Sequence, residues 1–406
     1  MLRKRKALGA LAVFGLLASI VAIPIQANAA TKTLNIRVGG DFSVGKNKPV
    51  EDMRFFPSQI TVHQGDKLRF RGGFHTATVL PVGTDPQLWI DKHDFRLGDR
   101  YFIGKRDEEG HHKVIFNPNL GFFGPQSPCG LTPGGCSYDG TTVVDSGLLF
   151  SYIDFSQNPP VDKGFKVKIN ANVGATFWVI CRLHPDMRMK VTVRPDSAPT
   201  TTQTHIRKSR KQTLATDKEL ASSLWAQLQK QSSHVTHSGK RVIDAYAGYD
   251  TRYLALFGMF PKILHIKKGQ AVRWHFNQLV HEPHSVVFPA KTAQKISTGP
   301  PPFCETANGD VPANFGPTGP TCPNGKSPEL EFDKRLYEKQ GDGKVTSRHD
   351  HENSGARGPD LQPPQLPFGA SGSVYKLHFP KVSPRKGYKY ACGVHGLEMV
   401  GRVKVR

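Results

Sequence analysis

WVICRLHPDMRMKVTV, residues 178–193, places a thiol, an imidazole and a thioether close together at Cys181, His184 and Met187, and then alternates apolar and polar residues. Val191 and Val193 alternate with Lys190, Thr192 and Arg194, the period of a half-buried strand. Three soft donors therefore sit on the turn leading into a β-strand. The arrangement returns in YACGVHGLEMVGRVKVR, residues 390–406, with Cys392, His395 and Met399 ahead of a tail of the same kind.

A pattern used twice suggests a repeat of domain size, and the rest of the chain agrees. RFFPSQITVHQGDKLRFRGGFHTATVLP (54–81) resembles GMFPKILHIKKGQAVRWHFNQLVHEPHSVVFP (258–289): a Phe-Pro start, an alternating strand, a glycine turn, a second strand, then histidine and a β-branched run. Pro57 and Pro261 lie 204 residues apart and Cys181 and Cys392 lie 211 apart, so the second copy is slightly longer. The expected organisation of the 406 residues is a signal peptide over 1–29, one β-domain over 30–195, a linker over 196–240 and a second β-domain over 241–406. Within the linker, Thr216-x-x-Glu219 reads as a capping box opening a short helix with Leu220, Leu224 and Leu228 on one face. Each domain carries a long insertion rich in Gly, Pro, Asp and Lys, expected to lie over its own sandwich as loops. The insertion histidines His111, His112, His349 and His351 read as exposed loop residues.

The first 29 residues have a basic start, an apolar run broken by Pro24 and the small-residue site Ala27-Asn28-Ala29, which predicts export and cleavage after Ala29. An extracytoplasmic compartment, periplasm or cell wall, permits disulfides. Of six cysteines, Cys129 with Cys136 and Cys304 with Cys322 form two pairs within Pro/Gly-rich stretches, leaving Cys181 and Cys392 for other chemistry. The formal charge is +22 and stays strongly positive without the four basic residues near the start. Such a field suits anionic partners: an acidic redox protein, or an anionic cell-wall or membrane surface. The basic residues are scattered apart from HIRKSRK at 205–211, which argues against nucleic acid.

One thiolate, two imidazoles and a distant thioether are the donors that suit copper cycling between Cu(I) and Cu(II) with little rearrangement. In the first half these are His75, Cys181, His184 and Met187; in the second, His284, Cys392, His395 and Met399. His284 is preferred over His281 because it directly precedes the β-branched run, as His75 does; Met189 competes with Met187 but falls where the return strand begins. Zinc is the other metal considered, but this donor set is softer than a structural zinc site uses. Two coppers per chain follow.

In these motifs the chain resembles the cupredoxins, the blue copper family of plastocyanin and amicyanin. CRLHPDM is similar to the amicyanin spacing, and CGVHGLEM, with one more residue before methionine, to the wider plastocyanin-like group. The resemblance implies an all-β chain of two tandem Greek-key β-sandwiches, each with copper at one end. Copper oxidases and nitrite reductases are also built from such repeats, but they carry His-x-His pairs or a histidine beside the ligand cysteine. Here Ile180 and Arg182 flank Cys181, and Ala391 and Gly393 flank Cys392. The expectation is therefore an exported electron carrier with two blue copper sites, no small-molecule substrate and no turnover of its own. Extracytoplasmic copper storage or delivery is the alternative.

Overall fold

The structure is a computed structural model, and it describes residues 30–93, 102–106, 112–116, 135–154, 157–184, 186–276, 282–298, 303–306, 309–316, 319–323, 329, 331–336, 338–357 and 373–406. The expected signal peptide, His111, Cys129 and His281 lie outside them. Among the described residues no helix is long and apolar enough to cross a membrane.

The chain is all-β, built from tandem halves. Thr33–Ser43, Pro49–Phe56, Lys67–Gly72 and Phe165–Ile169 from the first half share one ten-stranded sheet with Arg241–Asp250, Leu254–Phe260, Ala271–His275 and Val374–His378 from the second. The halves meet where Pro49–Phe56 and Leu254–Phe260 run antiparallel, pairing Val50 with Leu256, Glu51 with Ala255 and Asp52 with Leu254. Outward from that seam the strands follow the same order on both sides.

A five-stranded sheet packs under each half of this sheet. In the first the order is Gln59–His63, Arg188–Arg194, Thr176–Ile180, Thr76–Val79, Val144–Leu148; in the second it is Ile263–Ile266, Gly396–Val405, Tyr388–Cys392, Val287–Phe288, Glu352–Asn353. The alternation seen in the sequence drives this packing: Met189, Val191 and Val193 face inward while Lys190 and Thr192 are half-exposed. Each sandwich closes on its own core, around Phe55, Phe70, Phe165 and Phe177 in one half and Trp274, Phe288, Phe379 and Tyr390 in the other. Burying each such ring stabilises the fold by roughly 1.5–3 kcal/mol.

Two expectations need correction. The linker helix is not short: it spans Gln203–Leu228, capped by the Thr202 hydroxyl, which accepts from the His205 N–H at 3.1 Å. Thr216 lies inside it and donates to the Gln212 carbonyl. The basic run HIRKSRK read as linker, but Arg, Lys and Gln are good helix formers, and the charges hid that propensity. Its buried face is Ile206, Asp217, Ala221 and Trp225, while Leu220 is 45% exposed. Trp225 meets Phe260 edge-on at 4.9 Å, docking the helix on the seam strand.

The insertions, too, do more than lie over their own sandwiches. Val144–Leu148 and Glu352–Asn353 return from them as edge strands of the five-stranded sheets, and Glu331–Phe332 of the second insertion pairs with His112–Phe116 of the first. Cys304 and Cys322 form a disulfide, Cys136 is disulfide-bonded, and Cys181 and Cys392 are free and buried.

Candidate metal centres

The strand Thr176–Ile180 delivers Cys181, and the loop after it turns back at once: the Cys181 N–H donates to the Met187 carbonyl and the Met187 N–H to the His184 carbonyl. Ile180 then pairs with Arg188, so Met187 occupies the position just before the partner of the residue preceding the cysteine. In the second half Ala391 pairs with Val400, which puts Met399 at the same position despite the longer spacing. A register irregularity between Ala391 and Cys392 absorbs the extra residue. Met187 and Met399 are both buried, whereas Met189 is in register with Val179 within the sheet.

The histidine strands correspond in the same way. Thr78 pairs with Ile180 and Val287 with Ala391, so His75 and His284 each stand three residues before matching partners. The backbone N–H after each histidine donates to the cysteine sulfur, Thr76 to Cys181 at 3.4 Å and Ser285 to Cys392 at 3.3 Å.

His75, Cys181 and His184 converge, as do His284, Cys392 and His395, with the ligand atoms of each trio within 4.8 Å of one another. Cys181 Sγ lies 3.6 Å from His184 Nδ1 and 3.9 Å from His75 Nδ1, and the two Nδ1 atoms are 3.0 Å apart. Cys392 Sγ lies 3.6 Å from His395 Nδ1. Burial alone would raise both thiols, but the two histidines beside each hold them well below the ordinary thiol range. Burial opposes charge on His75 and His395 too, yet Cys181 and Glu51 push His75 up to about 9, and Cys392 and Glu282 push His395 up to about 10. Each cysteine is thus held as a thiolate beside two histidines, a donor set that a soft metal would take up by displacing the protons from the rings.

Ligand histidines need their outer nitrogen fixed by an acceptor. Here His75 Nε2 lies 2.8 Å from Glu51 Oε1, His184 Nε2 2.8 Å from Glu282 Oε1, His395 Nε2 3.5 Å from Glu282 Oε2 and His284 Nε2 3.9 Å from Asp250 Oδ1. The donor set and these carboxylates fit copper.

Several residues of the sites went unremarked in the sequence. Gly39 and Gly248 occupy the left-handed region at φ +69° and +72°, each at a strand irregularity, with the ring of His75 or His284 against the space a Cβ would fill. Ser146 Oγ accepts from the Ala77 N–H and Ser354 Oγ from the Val286 N–H, both at 2.8 Å, clamping the histidine strands. Repeated signals existed for both: Gly39-x-Asp41 with Gly248-x-Asp250, and Asp145-Ser-Gly with Asn353-Ser-Gly. Glu51 and Glu282 have no such echo.

No family model and no curated protein matches the sequence. Among solved structures the chain is similar to a multicopper oxidase at 12% identity, covering 92% of this chain and 88% of that one with a TM-score of 0.18. It is similar to a Cu-containing nitrite reductase from Thermus scotoductus at 10% identity, covering 93% of this chain and 62% of that one with a TM-score of 0.16. A blue copper oxidase from Nitrosomonas europaea matches at 10% identity, 86% of each chain and a TM-score of 0.15. The matched proteins are by name oxidases and a reductase, and the expectation of no turnover is withdrawn.

Proposed function

We propose that the protein binds two type 1 copper ions, one in each half, and transfers electrons through them outside the cytoplasm. The carrying observation is the doubled trio, each a buried thiolate facing imidazole nitrogens. In this reading His75, Cys181, His184 and Met187 hold one ion and His284, Cys392, His395 and Met399 the other, in plastocyanin- and amicyanin-like domains over 30–195 and 241–406. Copper supplies one-electron chemistry when bound. The chain fixes the donors: the Thr76 and Ser285 N–H groups steady the sulfurs, Glu51 and Glu282 hold the outer nitrogens of His75 and His184, Asp250 faces His284 at 3.9 Å, and both cysteines are buried against the cores. Donors tied to strand ends and short turns of the packed sheets have little room to rearrange between oxidation states, which favours electron transfer over release of the metal.

The test is visible absorption and copper content of the purified protein. Two coppers and an intense thiolate-to-copper band are expected, with Cys181→Ser and Cys392→Ser each removing one centre's share. A band unchanged in both variants would refute the ligand assignment. Loss of copper on repeated reduction would favour storage or delivery.

A further inference from the structure

We infer that Glu282 couples the two metal centres, so that an electron entering either one is shared with the other inside a single chain. The inference rests on the copper reading above. Its basis is the direction in which the two C-terminal histidines face. Nδ1 of His184 and of His395 turns toward its own cysteine sulfur, leaving Nε2 as the outer edge of each ring. Those two outer edges do not open to solvent but meet the same carboxylate: Glu282 Oε1 lies 2.8 Å from His184 Nε2 and Oε2 lies 3.5 Å from His395 Nε2. Side-chain exposures of 7% for His184, 14% for Glu282 and 19% for His395 show how far the junction is enclosed. The path from one sulfur to the other is therefore an imidazole, a carboxylate and an imidazole.

The flanking residues support a built junction. Phe257, on the seam strand Leu254–Phe260, packs against both hydrophobic cores and sets its ring 4.7 Å from that of His395. The two halves are not symmetric here. By register with His75 and His284, the position matching Glu282 is Gly73, beside which a Cβ would meet nothing within 4 Å. One carboxylate with two oxygens serves both rings.

With Nδ1 given to a metal, each Nε2 would carry a proton facing the ionised carboxylate, that of His184 in a hydrogen bond at 2.8 Å and that of His395 at an ion-pair distance of 3.5 Å. The transfer step balances simply: one electron leaves the reduced centre, which is oxidised, and reduces the other. Both Nε2 protons stay in place and no bond breaks.

The experiment uses the full, copper-loaded chain. Cys181→Ser and Cys392→Ser first give the electron paramagnetic resonance signal of each centre alone. Oxidised two-copper protein is then mixed with substoichiometric ascorbate and freeze-quenched, and redistribution between the two signals is followed at several protein concentrations. Coupling predicts a redistribution rate independent of concentration. Glu282→Ala, reconstituted until each molecule carries two coppers, should slow it by roughly tenfold or more, on the scale of losing a ligand-orienting partner, with the rate scored only on the two-copper fraction. Glu282→Gln keeps the shape but loses one acceptor, and should fall between the two, so a poorly folding alanine variant leaves a usable comparison. A rate that scales with concentration, or one unchanged in both variants, overturns the bridge while leaving the copper reading intact. Absence of a blue-copper signal from both single-site proteins would overturn both.

Discussion

A Cβ added at Gly39 would sit 2.0 Å from His75 Nε2, and one added at Gly248 would sit 2.0 Å from His284 Nε2. Both glycines have positive φ, so alanine would meet backbone strain of about 1–2 kcal/mol as well as the ring. Gly39→Ala and Gly248→Ala should each lower stability by more than about 2 kcal/mol in urea unfolding and abolish the copper signal of their own half only. Gly269 separates the two effects, because its φ is +85° with nothing within 4 Å of a Cβ. Gly269→Ala should cost only the backbone strain and leave both signals unchanged; equal damage from all three would mean that the histidine contact is unimportant. The inner donors were legible because thiol, imidazole and thioether recur at nearly fixed spacing. Their carboxylate partners were not, since Glu51 reaches His75 from a strand 24 positions earlier and Glu282 reaches His184 from 98 positions later. A contact of that kind exists only once the sheets have closed.

At the scale of elements, period-two alternation was enough to identify strands, and the repeat was enough to match them across the halves. The helix Gln203–Leu228 was half missed because its first turns carry few apolar residues, its charges reading as a solvated linker. It is held by polar contacts that no periodicity shows. Arg54 on the seam strand Pro49–Phe56 lies 2.7 Å from helix Asp217 and 3.3 Å from Asp52, whose side chain is fully buried. Burial, followed by the Asp217 side chain, pushes the Asp52 carboxyl up to about 8. The folded chain therefore binds its proton more tightly than the unfolded chain does. That contribution to stability is complete below the ordinary value of about 3.9 and is lost as pH rises through about 8. Asp52→Asn keeps the shape without the titration. Relative to wild type it should gain stability from pH 5 to pH 8 by at most about 1.4 kcal/mol per unit, the limit for one proton. Urea midpoints across that range are the measurement, and a pH-independent difference would refute the assignment.

For the whole molecule, the shared ten-stranded sheet makes one body of two sandwiches and turns the outer histidine edges toward each other. Neither the sheet nor the pairing of Glu331–Phe332 with the first insertion was legible, because the repeat describes each half and carries no information on their contact. With those edges enclosed, we propose that an anionic redox partner meets a basic groove instead. Arg37, Arg207, Arg210, Lys211 and Lys218 line it, between the long helix and the strand Thr33–Ser43. That same strand carries Gly39 against His75, so the groove and the first centre share an element. The formal charge, 22 − 4 = +18 without the four basic residues near the start, draws anions to the whole surface, and the groove concentrates the effect. Oxidation of the reduced protein by hexacyanoferrate(III) should slow as ionic strength rises past about 0.1 M, where the screening length falls to about 10 Å, whereas oxidation by cationic hexaammineruthenium(III) should quicken. Arg207→Glu with Lys211→Glu should flatten the first salt dependence while leaving the absorption of both centres in place. Stopped-flow rates at several salt concentrations decide it: a slope unchanged by the double substitution would assign the attraction to the general surface charge and remove the groove from the docking site.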